Sequence, residues 1–170
     1  MPKHTIEQVK NFSPELKATL INRMRAYLKK DPTMNKVFDE YDVDISEIDL
    51  VPMAFKEIDT SATTDHGIIY FSYKLLCDGD FFKDFAYGVH ECTHWIQQCS
   101  GDKPTKGAND GEYLDNEYEI EGFQNQIEWL AETFGKEEAE KYTDQMLGHH
   151  ELKGKDKEEK FEELTEKIEK

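Results

Sequence analysis

The stretch GVHECTHWIQQ, residues 88 to 98, constrains this chain more than any other part of it. It places His90 and His94 four positions apart, with Glu91 directly after the first histidine. A helix turns by about 100° per residue, so the two imidazoles leave one face a single turn apart, as a tetrahedral zinc ion requires. Glu91 falls beside them, where its carboxylate reaches a metal-bound water rather than the metal. The motif therefore predicts a helix that carries part of a zinc site.

The residues around the motif predict a long helix from about residue 80 to Cys99. An apolar stripe next to the histidines indicates one face for the core and a neighbouring face for a cleft. The stripe consists of Phe82, Phe85, Ala86, Val89, Thr93 and Ile96.

A third ligand is needed, because a catalytic zinc usually has three protein ligands. No histidine follows at ligand spacing, so a carboxylate on a second helix, predicted over residues 116–134, is the better source. This helix opens with Glu117, Glu119 and Glu121. On a helical wheel Glu119 borders the apolar stripe, whereas the other two point away and are expected to be solvated. We therefore expect Glu119 to face the histidines, with Gly122 allowing the two helices to approach closely.

The rest of the chain predicts an α+β fold, a mostly helical single domain with a small antiparallel or mixed sheet packed on the motif helix. The domain is expected over residues 1–150, with its core at about 45–148. Helices are predicted after Ser13 and Pro14, near residues 34–41 and over 136–148, and strands near 47–57 and over GIIYFSYKLL, with SATTDHG as the turn between them. Residues 151–170 form a charged helical tail. The tail either docks on the domain or stays solvated, and its charge run favours a solvated face.

Composition excludes several classes of function. The 37 acidic and 21 basic residues give a net charge of −16, so the chain repels phosphate backbones, and a charged substrate or partner is expected to be basic. No apolar run predicts a membrane span or a secretory leader. Three scattered cysteines predict buried thiols in a reducing compartment. We expect a cytoplasmic protein of a bacterial or phage-infected cell, and the sequence does not indicate an oligomeric state.

Two motifs together carry a family resemblance. HECTHWIQ, residues 90–97, and EIEG, residues 119–122, resemble the gluzincin group of zinc metallopeptidases. They are most similar to short bacterial and phage domains with H-E-x-T-H-x-x-Q followed by E-x-E-[AG]. The resemblance covers about residues 65–135. It implies a zincin-like domain in which His90, His94 and Glu119 bind one zinc, and Glu91 is the general base that acts on a zinc-activated water to hydrolyse peptide bonds.

Two positions depart from the family pattern. Gly122 replaces the usual alanine, and Phe123 stands where larger members often have an aspartate that supports a ligand. The far ring nitrogens of the histidines must then find partners elsewhere, and Asp115 or a backbone carbonyl is a candidate.

The resemblance also implies a strand that binds an extended substrate peptide along its edge. The residues of this predicted edge strand are Ile68, Ile69, Tyr70, Phe71, Ser72 and Tyr73. A further donor is needed to stabilise the oxyanion of the reaction. The candidates are Tyr113, Tyr118, Tyr142, His149 and His150.

Three functions stay open at this point. The first is a zinc metalloendopeptidase acting on a peptide or protein. The second is a catalytically weak zincin-fold module that binds a protein partner, which the intact Glu91 disfavours. The third is a structural helical protein without metal. Bound zinc separates the third from the others, and cleavage that depends on Glu91 separates the first from the second.

Overall fold

The computed structural model describes residues 3–77, 85–99 and 117–168, and it has the α+β architecture predicted. Helices dominate, and a small sheet lies beside the motif helix. The helices are α1 (Ile6–Lys10), α2 (Pro14–Lys30), α3 (Pro32–Glu40), α4 (Lys74–Cys77), α5 (Phe85–Cys99), α6 (Glu117–Phe134), α7 (Lys136–His149) and α8 (Gly154–Leu164), with a 3₁₀ helix at Ile45–Leu50. The strands are β1 (Met53–Lys56), β2 (Ala62–Asp65) and β3 (Ile68–Ser72).

α2 begins where its sequence signals place it, whereas α3 begins at Pro32, two residues before the predicted start, and α1 was not predicted. Ser13 caps α2 by accepting a hydrogen bond from the backbone N–H of Leu16 (3.1 Å), and Pro14 occupies the first turn. Asp31 ends α2 and caps α3 through the N–H of Met34. α6 and α7 also match their predictions. The predicted start of α5 near residue 80 lies outside the described residues.

The sheet corrects two predictions. The strand expected near residues 47–57 is shorter, because Asp44 caps a 3₁₀ helix over Ile45–Leu50 and only Met53–Lys56 is extended. The segment SATTDHG is not simply a turn. Its residues Ala62–Asp65 form β2, and only His66 and Gly67, both with positive φ (52° and 81°), make the hairpin turn to β3.

The expectation that Ile68–Tyr73 is an edge strand is wrong. The strand predicted over GIIYFSYKLL is also shorter, because β3 spans only Ile68–Ser72 and Lys74–Cys77 forms α4. β3 lies at the centre of the sheet, paired in parallel with β1 and antiparallel with β2. Its apolar and aromatic character is typical of a strand with neighbours on both sides, and local sequence does not reveal strand order. The edge strand on the side of the motif helix is β2 instead.

The core side of α5 is the predicted apolar stripe. Its buried members among the described residues are Phe85, Ala86, Val89, Thr93 and Ile96, and Cys92, which was not predicted to belong to the stripe, is buried as well. α2 packs closely on this helix, because a Cβ on Gly88 would lie only 2.9 Å from Sδ of Met24. Phe82 lies outside the described residues.

The cysteines only partly follow the prediction of buried thiols. Cys77 and Cys92 are buried, whereas Cys99 is exposed. Burial raises the pKa of the Cys92 thiol to about 12.

The C-terminal tail docks on the domain. Leu164 is 1 % exposed and Ile168 is 7 % exposed, and both belong to a second apolar cluster with Phe123 and Ile127 of α6. The ammonium of Lys167 also donates a hydrogen bond to Oδ1 of Asn125 (2.8 Å). Of the two alternatives for the tail, docking is therefore the one that the structure shows. Within the described part of the chain, no helix has the length and apolarity needed to cross a bilayer.

Truncation of Leu164 tests the contribution of the docked tail. Leu164→Ala removes a fully buried side chain and should lower the free energy of unfolding by about 2–5 kcal/mol, measured by urea denaturation. Leu50→Ala is the matched control, since Leu50 is 70 % exposed. Equal effects of the two substitutions would contradict docking of the tail in solution.

Candidate metal centre

The face-to-face packing of α5 and α6 brings three metal-binding side chains together. His90 and His94 project from α5, and Glu119 projects from the first turn of α6. The two Nε2 atoms are 3.0 Å apart, and Oε1 of Glu119 lies 3.1 Å from that of His90 and 2.9 Å from that of His94. All three side chains are buried. The prediction that Glu119 turns inward is confirmed.

The spacing of these atoms suits one metal ion. With metal–ligand bonds of about 2.0–2.1 Å, two ligand atoms of a tetrahedral ion lie roughly 3.3–3.4 Å apart. The observed separations of 2.9 to 3.1 Å differ from this value by a few tenths of an ångström. The three residues could therefore hold a metal ion after a small outward adjustment.

Charges inside the site are strongly coupled. Burial disfavours the ionised form of Glu119, but hydrogen bonds from both histidines outweigh it and lower the pKa of the carboxyl to about 2. Burial also disfavours protonation of His94. The hydrogen bond to Glu119 and the charges of Glu91 and Glu119 nevertheless raise the pKa of this imidazole to about 9. In the metal-free protein a protonated His94 thus pairs with an ionised Glu119, and a bound cation would replace that proton.

Gly122 makes the helix contact possible at the centre of the site. A Cβ built on this residue would lie 3.0 Å from both Cε1 and Nε2 of His90, closer than nearly all real contacts of a Cβ atom. The glycine therefore lets the imidazole lie directly against α6, as the sequence led us to expect. Phe123, which follows it, packs edge-on against the same ring, with centroids 4.6 Å apart.

Two glutamines support the far sides of the imidazoles. Nδ1 of His90 lies 3.0 Å from Oε1 of Gln126, and Nδ1 of His94 lies 2.8 Å from Oε1 of Gln97. An amide oxygen accepts a hydrogen bond from Nδ1–H, and the tautomer with its proton on Nδ1 leaves the lone pair of Nε2 for a metal. The structure thus shows side-chain amides where we expected Asp115 or a backbone carbonyl. Asp115 itself lies outside the described residues.

Glu91 is buried beside the histidine pair and is held by β2. Oγ1 of Thr64 lies 2.7 Å from Oε1 of Glu91 and 3.1 Å from its backbone oxygen. The hydroxyl of Thr64 thus anchors the carboxylate through Oε1. Thr64 was missed by sequence reasoning, since it lies in the segment taken for a turn.

The predictions for the other two glutamates at the start of α6 had different outcomes. Glu117 is exposed, as predicted. Glu121 is not solvated, and that prediction is wrong. Its carboxylate is half-buried and accepts hydrogen bonds from Nε2 of Gln97 (2.6 Å) and from the hydroxyl of Tyr41. One partner, Gln97, lies on α5, and the other, Tyr41, lies in a third segment at the end of α3, which a helical wheel drawn for two packed helices does not include.

A cleft of about 550 Å³ opens beside the site, between β2, α5, α6 and α7. Its described lining residues are Asp59, Thr60, Ser61, Ala62, Tyr87, His90, Glu91, Phe123, Gln126, Tyr142, Met146, His149 and His150. Of the predicted oxyanion donors, Tyr142, His149 and His150 thus face the cleft. Tyr118 is not among its described lining residues, and Tyr113 lies outside the described part of the chain.

The geometry defines a buried candidate site for a single metal ion beside a cleft, which His90 lines. The comparisons with protein-family models, with curated proteins and with solved structures found no match to this chain. The resemblance to gluzincins stays a prediction.

Replacement of Gly122 separates the metal site from overall stability. Gly122→Ala should weaken metal binding by about tenfold, because the methyl group displaces His90, while helix propensity favours the alanine by about 1 kcal/mol. Titration with a divalent transition metal and urea denaturation of the metal-free protein measure the two effects. Gly148→Ala in α7 is the matched control, since a Cβ there meets no atom within 4 Å. Unchanged metal affinity in Gly122→Ala would contradict the close contact.

The stability of the metal-free protein should depend on pH through His94. The folded-state pKa of about 9 exceeds the reference of 6.5, so the stabilisation is fully present below pH 6.5 and lost as the pH rises through 9. The free energy of unfolding should fall by on the order of 3 kcal/mol across this window. Urea denaturation with chelator present measures it. His94→Gln should lack this component, and the same slope in both proteins would refute the assignment.

Proposed function

We propose that the protein is a zinc-dependent peptidase that hydrolyses peptide bonds in its cleft. The observation that carries this proposal is the convergence of His90, His94 and Glu119 beside a cleft that is lined by His90 and Glu91. Two imidazole nitrogens and one carboxylate oxygen are a ligand set typical of catalytic zinc, with a fourth position open to water or substrate. When bound, the zinc would lower the pKa of a water molecule and polarise the scissile carbonyl.

Glu91 is proposed to act as the general base. Its carboxylate lines the cleft next to His90, and the hydroxyl of Thr64 holds Oε1 in place. A carboxylate so held can accept a proton from the attacking water and donate it to the nitrogen of the leaving amine. Thr64 would restrict the carboxylate to one orientation for both transfers, which favours the reaction by reducing the freedom of the base.

Tyr142 is the oxyanion donor that we favour among the residues of the cleft. Its hydroxyl oxygen accepts a hydrogen bond from Nε2 of Gln126 (2.8 Å), so its own proton can be donated into the cleft. Burial raises the pKa of this phenol above its usual value, which keeps the proton in place at neutral pH. Burial and His149 lower the pKa of His150, which makes it a weaker candidate for a charged donor.

The substrate is proposed to lie along β2 rather than along β3. β2 pairs with β3 on one side, no other strand among the described residues pairs with it, and its first residue lines the cleft. An extended peptide can add to such an edge through main-chain hydrogen bonds. The described lining contains the acids Asp59 and Glu91 but no lysine or arginine, which favours a peptide with basic residues.

Substitution of Glu91 tests this function. The purified wild-type protein should contain one zinc per chain and cleave a peptide library enriched in lysine and arginine. Glu91→Gln should retain zinc and fold but lose about 10²–10⁴-fold in cleavage rate, because the amide cannot accept the proton. Elemental analysis and a digest read by mass spectrometry measure the two properties.

Glu117→Gln is the matched control for the loss of one carboxylate, since Glu117 is exposed on α6. It should cleave as the wild type does. Cleavage unchanged in Glu91→Gln would exclude Glu91 as the base. Zinc without any cleavage in the wild type would favour the module that binds a protein partner, and absence of zinc after expression in zinc-replete medium would reject the proposal as a whole.

A further inference from the structure

A chain of side chains links the site to residues well before the motif. Gln97 of α5 is 2 % exposed and lies between His94 and Glu121. Its Oε1 faces Nδ1 of His94 (2.8 Å), and its Nε2 donates to a carboxylate oxygen of Glu121 (2.6 Å) and to the backbone oxygen of Tyr118 (3.2 Å). The hydroxyl of Tyr41, the residue that caps the end of α3, donates to the same carboxylate.

The chemistry of these partners fixes the orientation of the amide. Nε2 of Gln97 is surrounded by two acceptors, a carboxylate and a carbonyl, and a flipped amide would place its oxygen against both of them. Oε1 must therefore point at His94, and only a protonated Nδ1 can donate to it. The tautomer of His94 that presents a lone pair on Nε2 is thus set by groups that never touch the metal position.

The charge of Glu121 adds to this effect. A carboxylate that accepts a hydrogen bond from one end of an amide polarises it and makes the oxygen at the other end a better acceptor. A stronger acceptor at Nδ1 makes the imidazole a better ligand at Nε2 and restricts rotation of its ring. Glu121 thereby occupies, one residue further out, the role that a directly bonded aspartate has in many metal sites.

We propose that Glu121 is a positioning residue that acts through Gln97 to set the orientation and ligand strength of His94, with Tyr41 holding the carboxylate in place. The proposal rests on the proposed function to the extent that the site binds zinc. It assigns a role in the site to residue 41, which lies outside the part of the chain that carries the motif.

Zinc affinity, measured by competition with a chromophoric chelator, tests the proposal without any activity assay. Glu121→Gln should bind zinc about 10–100-fold more weakly than the wild type. The matched control Glu117→Gln, with the same change of charge four positions earlier on α6, should stay within about twofold. Tyr41→Phe removes one hydroxyl and should weaken binding several-fold, which provides a second variant if Glu121→Gln fails to fold. Cobalt-substituted protein should show an altered visible spectrum in Glu121→Gln but not in Glu117→Gln.

A double-mutant cycle tests whether Glu121 acts through Gln97. In a Gln97→Met background, Glu121→Gln should have no further effect beyond about twofold, since the connection to His94 is already broken. The same fold-loss with and without Gln97 would overturn the proposal, as would equal affinities of Glu121→Gln and Glu117→Gln, or unchanged affinity in Tyr41→Phe. In each of these cases the wild type still binds zinc and the proposed function stands. A wild type that binds no zinc overturns both.

Discussion

The contact between the imidazole of His90 and the backbone of α6 at Gly122 is the constraint on which the rest of the site depends. It brings the two helices so close that Glu119, on the preceding turn, meets both Nε2 atoms, and Gln126, on the following turn, meets Nδ1 of His90. A wider separation of α5 and α6 would break these contacts together, because Glu119, Gly122 and Gln126 all belong to one rigid helix. The two helices thus supply the candidate ligands and part of their support.

Assembly of such a site without a cation is costly. Two imidazoles and a carboxylate lose their hydration on burial, and the attraction among them offsets only part of that cost. The protein reduces the rest of this desolvation cost by giving each imidazole an amide partner on its far side and by anchoring Glu91 to Thr64. Because these partners hold the side chains in place beforehand, a cation would bind with little loss of conformational entropy.

The residues that could be predicted are those whose position follows from one helix and its immediate neighbour. The spacing of His90 and His94, the inward face of Glu119 and the close approach at Gly122 are properties of this kind. Thr64 and Tyr41 are of another kind, since they reach the site through the order of the strands and the path of α3. β2 gave no clear local signal, because ATTD is polar and short and becomes a strand only through pairing with β3. Because β2 was not predicted, β3 was expected to lie at the edge of the sheet rather than at its centre.

The position of Tyr41 also bears on how short a segment of this chain can keep all the contacts around the candidate site. Residues 65–135 contain the whole motif, and a designer who transplanted that segment onto another scaffold would move every candidate ligand with it. The graft would leave behind the phenol that holds Glu121 and the threonine that holds Glu91. The continuous segment that contains the motif is therefore smaller than the set of residues that supports the site in the folded structure. A transplanted site would need residues of the recipient scaffold to replace both contacts.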